Sequence, residues 1–194
     1  PPRPPRPPPR PRPPPRPPPA PPPRPRRPPR RPAPPPPPRP PSTLGVTQAT
    51  ARAHGYTGDM RNLTREQALA ILEADYWYGP RFDQVARVSP AIAAELCDTG
   101  VNMGPSVQVK WFQRWLNVFN NQQQLYPDLI ADGQIGPRSI SALKLFLAKR
   151  GSEGETVLLR ALNCSQGQRY LELAEQRPAN ESFVYGWVRE RVSL

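Results

Sequence analysis

The chain has 194 residues and a formal net charge of +12, with 34 prolines, two cysteines and one histidine. Its pI near 10.8 suggests a nucleic-acid binder, but residues 1–41 alone hold 28 of the prolines and 11 arginines, with two alanines and no acid. The remaining 153 residues set 16 Lys or Arg against 15 Asp or Glu. The high pI therefore describes the appendage, the folded part is nearly neutral, and only nonspecific attraction of nucleic acid to the arginine run is expected.

Further classes are set aside by pattern. No stretch has the about 20 apolar residues a membrane-spanning helix needs, and no charged-then-apolar signal peptide opens the chain. The expected location is synthesis in the cytoplasm. His54 stands alone, and Cys97 and Cys164 lack metal-ligand spacing, so neither metal nor cofactor is expected. Both cysteines lie within apolar helical patterns and are expected as buried reduced thiols. His54, beside Gly55, is expected to end a helix near its negative pole rather than to act as a base.

Residues 1–41 cannot form a helix or a paired strand, because proline fixes φ, removes donors and forces its predecessor to extended geometry. A disordered polyproline II tail is expected. Three readings of it stay open: a cationic arm for an anionic surface such as lipopolysaccharide or phospholipid, a ligand for grooves that read Pro-x-x-Pro, and low-complexity sequence of the kind a shifted frame in a GC-rich gene encodes.

The globular part begins near Ser42. Val46 to Ala53 predicts a short helix, and Thr64-Arg-Glu-Gln67 is a capping box opening a second one. Ala68, Leu69, Leu72 and Tyr76 form its expected face, and Gly79-Pro80 its stop. Ser89-Pro90 opens the next helix, with Ile92, Ala93, Leu96, Cys97 and Gly100 as a narrow face. After Gly104-Pro105, a helix carries Trp111, Phe112, Trp115, Leu116 and Phe119, which at helical spacing are expected in the core. Asn120 to Asp128 reads as the most mobile loop, and Leu129 to Ile135 as a possible short ribbon.

Asp132-Gly133 then predicts a tight turn, and Gly136-Pro137 a helix start. Gly151 to Gly154 reads as a break. The last long helix, Thr156 to Gln176, places Val157, Ala161, Cys164 and Leu171 on one stripe, with Leu158 and Leu162 beside it. A closing helix carries Phe183, Val184, Trp187, Val188 and Val192. The expected class is mainly α, a helical bundle.

Two helices bracketing Asp132-Gly-Gln-Ile-Gly136-Pro137-Arg-Ser139 resemble the core of peptidoglycan-binding domains. The run Leu44-Gly-Val-Thr47-Gln, then His54-Gly-Tyr-Thr-Gly-Asp59-Met-Arg, Asp75-Tyr76-Trp77 and Asp98-Thr-Gly-Val-Asn102-Met-Gly-Pro105 is similar to phage endolysins, the N-acetylmuramidases of glycoside hydrolase family 108. The resemblance implies a lysozyme-like bundle over 42–105, a peptidoglycan-binding helical region over 106–194 and cleavage of the β-1,4 bond between N-acetylmuramic acid and N-acetylglucosamine. Bacterial peptidoglycan is the implied partner, and the cell wall or periplasm the implied place of action after release.

The family's general acid is a glutamate in a Glu-Gly-Gly-Tyr segment just before the Gly-Val-Thr run. Only Pro, Arg and Ala stand before Ser42 here, so no catalytic residue is assigned, and the Pro/Arg run is expected to occupy the place of the catalytic helix. A noncatalytic peptidoglycan binder with a cationic arm is the alternative. Thr47, Asp59, Tyr76, Trp77, Asp98 and Asn102 are the candidate substrate-cleft residues, and Asp132, Gly133, Gly136 and Pro137 the peptidoglycan-binding motif. Each candidate also has a structural reading: capping for Thr47 and Asn102, core packing for Tyr76 and Trp77, and turn or backbone bonding for Asp59, Asp75 and Asp98.

Overall fold

Local capping chemistry sets most helix boundaries in the computed structural model, which describes residues 42–192; the expected polyproline II run lies outside the described residues. Ser42–Thr43 (β1) pairs antiparallel with Val46–Thr47 (β2) across the Leu44-Gly45 turn. Thr47 then accepts a hydrogen bond from the Thr50 N–H and caps α1, Gln48–Ala53, which ends at His54. The helix expected from Val46 thus starts two residues later, because Val46 and Thr47 are committed to the ribbon. Asp59 caps a 3-10 turn at Met60–Asn62. The Thr64–Gln67 capping box forms in both directions and opens α2, Arg65–Glu73, which continues into a π turn at Ala74–Tyr78.

Next come α3 (Phe82–Ala86), α4 (Pro90–Met103, capped by Ser89), α5 (Pro105–Phe119), α6 (Pro137–Gln176) and α7 (Glu181–Arg191). The class is mainly α, as expected. The break expected at Gly151 to Gly154 is a kink inside α6, where Gly151 adopts φ 61°.

No ribbon forms at Leu129 to Ile135, because side chains take its backbone groups first. Asn117 of α5 accepts from the Leu129 N–H at 2.7 Å and donates to the Leu129 carbonyl at 2.8 Å. The loop before it, expected as the most mobile, is cross-tied. Asn120 donates to Asp128, the Gln123 N–H returns to Asn120, and the buried Tyr126 hydroxyl donates to the Leu116 carbonyl.

The main core joins Phe82 and Val85 of α3, Ile92 and Leu96 of α4, Phe112 and Leu116 of α5, and Leu143, Phe146, Leu158 and Leu162 of α6. A smaller cluster gathers Val46, Ala51, Met60, Leu63, Ala68 and Ile71. Two expected faces are rotated. On α2, Ala68 and Ile71 are buried while Leu69 is exposed. Beyond the Gly151 kink the buried line is Leu158, Ala161, Leu162, Tyr170 and Ala174, whereas Val157 and Leu171 point outward. Cys164, expected as a buried thiol, is exposed by the same rotation, and Cys97 is half-buried with its thiol on the Tyr76 carbonyl. No residue of α7 is buried.

One buried amide joins α5 to the turn before α6. Gln113 Nε2 donates to Asp132 Oδ1 at 2.9 Å and to the Gln134 carbonyl at 3.0 Å, while its Oε1 accepts from the Gly133 N–H at 2.9 Å. Gly133 sits at φ 81°, and a Cβ there would lie 2.7 Å from the Ser106 carbonyl oxygen, so the turn admits only glycine. Replacing Gln113 by Ala leaves several of these groups unpaired and should lower unfolding free energy by about 2–3 kcal/mol. Chemical denaturation measures it, and a loss below about 0.5 kcal/mol would show that the turn holds without the amide.

Candidate functional site

The structure distributes the candidate cleft residues among several places. Thr47 is engaged in capping α1, its hydroxyl 2.9 Å from that of Thr50. Asp59 accepts from the Arg61 N–H at 2.9 Å. Tyr76 and Trp77 lie half-buried on the π turn, with Trp77 packed on the main core. Asp98 pairs with Arg191 of α7 at 2.7 Å, and the Asn102 amide donates to the Asp98 carbonyl at 2.9 Å.

The His54 ring donates through Nε2 to Asp75 Oδ1 at 2.8 Å. His54 therefore both ends α1 and ties it to the π turn. Asp75 also borders a hollow of about 440 Å³ with Arg81, Ser106 and Gly133. Arg81 adopts φ 65°, a left-handed conformation costly for a side chain, and reaches the Ile135 carbonyl at 3.5 Å.

Within the Asp132 to Pro137 motif, Asp132 accepts from the Gln113 amide and the Gln134 N–H, which together hold its carboxyl below the usual carboxylate range. Gly136 flanks the start of α6 and Pro137 takes its first position. The motif sits under the α5–α6 junction and fixes it.

A groove of about 880 Å³ runs between α5 and the distal half of α6. Trp111, Arg114, Trp115 and Val118 form its α5 wall at i, i+3, i+4 and i+7 spacing. Trp115 is anchored on its inner side: its indole N–H donates to Ser165 at 2.9 Å, and its ring stacks on Phe119 at 5.5 Å, which stacks on Phe146. Across the groove Arg169 pairs with Glu172 at 3.0 Å, and Gln168 also donates to Glu172. These bonds, that from Arg169 foremost, pull the Glu172 carboxyl below its usual range. Arg114 makes no hydrogen bond or ion pair among the described residues.

Asn102 is the cleft candidate that reaches this groove. Trp111 and Trp115, assigned to the core by spacing, are half-buried: they pack on the core and also line the groove. The readable signal was Arg114, a cation within an otherwise apolar stripe.

Sequence reasoning also passed over Glu95. It lies half-buried in a hollow of about 550 Å³ with Asp98, Asn163 and Arg191. Burial raises its carboxyl pKa and neighbouring Asp98 adds to the rise, against hydrogen bonds from Thr99 and Asn163. Thr99 donates to Glu95 at 3.0 Å and accepts from the Gln166 amide at 2.8 Å. None of Thr47, Asp59, Tyr76 or Trp77 borders any of these three hollows.

Residues 40–104 match the family model described as Glycosyl hydrolase 108, and residues 107–192 match the one described as Predicted Peptidoglycan domain. The chain is thus similar to glycosyl hydrolase 108 over its first described part and to a predicted peptidoglycan domain over the rest. No curated protein matches it. The pairing is that of a peptidoglycan-degrading, lysozyme-like enzyme or of a peptidoglycan-binding protein, and peptidoglycan is its partner. The groove lies mainly in the predicted peptidoglycan domain, whereas Glu95 and Asp98 belong to the glycosyl hydrolase 108 region. No helix is long and apolar enough to cross a membrane, and no cluster of three or more metal-ligating side chains occurs, among the described residues.

The raised carboxyl of Glu95 has a sign. Its folded form holds a proton more tightly than the unfolded chain, so its contribution to stability is greatest below the ordinary value of 4.5 and falls as pH rises through the folded pKa. Glu95→Gln should therefore raise Tm at pH 7 and leave it nearly unchanged at pH about 4. Thermal melts across pH test this, and a destabilised variant at pH 7 would refute the burial argument.

Proposed function

We propose that the chain is an endolysin-type protein whose region 106–194 holds the cell wall, with the Trp111–Arg114–Trp115 groove as the contact. The observation that carries this is the pair of half-buried tryptophans around an unpaired arginine, inside residues that match a predicted peptidoglycan domain. Aromatic faces suit the C–H faces of pyranose rings, and anchoring Trp115 through Ser165 and Phe119 spares much of the ordering cost on binding.

Hydrolysis is the second reading, carried by the glycosyl hydrolase 108 match, with region 42–105 contributing to an N-acetylmuramidase. That chemistry requires a carboxylic acid kept protonated beside the scissile bond. Of the three glutamates in this region, Glu66 is exposed and its pKa is lowered by hydrogen bonds, Glu73 is exposed, and Glu95 belongs to the hollow under α7. No residue is assigned as the acid, so binding is the better-supported activity. The eleven arginines of residues 1–41 add a charge-driven attraction to anionic surfaces such as lipopolysaccharide, which deleting 1–41 would remove at low salt.

Sedimentation with purified sacculi, run beside a turbidity assay on permeabilised Gram-negative cells, tests both readings. The protein should pellet with sacculi, and Trp111→Ala should weaken this about tenfold or more. A fall in turbidity would add hydrolysis. A protein that stays in the supernatant and leaves turbidity unchanged would overturn the proposal.

A further inference from the structure

We propose that the groove selects acidic muropeptide over uncharged β-1,4-linked N-acetylglucosamine chains, with Arg114 receiving a carboxylate of the stem peptide. This rests on the reading of the groove as the glycan contact and adds the chemical class it prefers.

Three observations converge. First, the groove contains two arginines, and one is already satisfied: Arg169 is paired with Glu172 at 3.0 Å, and Glu172 is further bonded by Gln168. The other, Arg114, presents an exposed guanidinium with no partner among the described residues. An unpaired arginine beside apolar rings is poised for a carboxylate, because its planar fork matches one bidentately and is more weakly hydrated than an ammonium.

Second, Arg114 is central to the α5 wall. It lies three residues after Trp111 and four before Val118, with Trp115 beside it on the same stripe. A sugar stacked on either ring therefore brings its substituents within reach of the guanidinium. Third, the acid in the groove is neutralised in advance: the bonds from Arg169 and Gln168 that keep Glu172 ionised also occupy it. The net field left for a ligand is cationic.

Both polymers share the N-acetylated pyranose backbone that aromatic rings and amides such as Asn102 can engage. They differ in the lactyl-linked peptide and its carboxylates, and Arg114 is the groove's group that discriminates on that difference. A site that pairs a charge loses that interaction when the ligand lacks it, whereas stacking persists.

The test uses the full chain with two probes, a disaccharide-tetrapeptide muropeptide and chitotetraose, followed by tryptophan fluorescence and calorimetry. Wild type should bind the muropeptide about tenfold more tightly, and this preference should shrink as salt rises. Arg114→Gln should abolish the preference by weakening muropeptide binding about tenfold, and Arg114→Lys should restore part of it. Trp111→Ala should weaken both probes. Alkylation of Cys164, which lines the same groove, should slow when muropeptide is bound.

Equal affinity of wild type for the two probes, or a preference that survives Arg114→Gln, overturns the selectivity. Trp111→Ala leaving both affinities unchanged, with Cys164 unprotected, instead refutes the groove as the glycan contact. Oligomerisation that rises with concentration and buries Cys164 would show a second copy as the occupant and overturn both.

Discussion

The Gln113 amide is the constraint on which the arrangement of α5 and α6 depends. It is buried, so each of its polar atoms must be bonded or costs free energy. It meets that demand by binding Asp132, Gly133 and Gln134, residues that have no ladder of their own. The turn is thereby folded by a side chain rather than by strand pairing, and its exit angle is passed to α6 through Gly136 and Pro137. Asn117, one turn further along α5, repeats the device at Leu129. One face of α5 thus serves as the template for the whole connection from Leu129 to Ser139.

A second polar tie joins the glycosyl hydrolase 108 region to α6. Glu95, Thr99 and Gln166 form a chain across α4 and α6, with Thr99 and Gln166 fully buried. Such a network specifies one register between helices, since a slide by one residue would orphan several groups at once. Helix α7 is held differently, by Trp187 against Tyr170 and by the partly exposed Arg191–Asp98 pair. An exposed ion pair of that kind contributes about 0–1 kcal/mol. With no buried residue, α7 belongs to the least strongly held part of the described chain.

What the sequence disclosed follows from the range of the interactions involved. The Thr64 capping box and the Ser89-Pro90 and Gly136-Pro137 starts depend on neighbours within four residues, and all were legible. The Asp132-Gly133 turn was legible from its residue types, although the side chain that holds it, Gln113, lies about twenty residues away. The misread features depend on partners far along the chain. The ribbon expected at Leu129 lost its backbone groups to Asn117, which no local pattern announces. The distal stripe of α6 was misphased because Asn163 and Gln166 occupy buried positions that hydrophobic spacing assigns to solvent. Cys164 was misplaced for the same reason. Of the cleft candidates, Thr47 and Asp59 are caps, Asp98 and Asn102 lie within α4, and Tyr76 and Trp77 lie on the π turn, so their motifs were visible while their dispersal was not.

The groove inherits its geometry from that polar core. Successive residues on an α-helix are about 100° apart, so Gln113 and Arg114 face different neighbours by necessity. Fixing Gln113 inward on Asp132 and Gln134 turns Arg114 outward, with Trp111 and Trp115 flanking it. Trp115 is then locked by Ser165 on one edge and by the Phe119–Phe146 stack on the other, whereas the guanidinium of Arg114 keeps its freedom. A rigid aromatic wall beside an unpaired cation divides the work of recognition: the ring offers area at little entropic cost, and the cation supplies discrimination. The inward amide that stabilises the fold and the outward arginine proposed to read the ligand are adjacent in sequence. Any change that rotates α5 to relieve the first must also misaim the second.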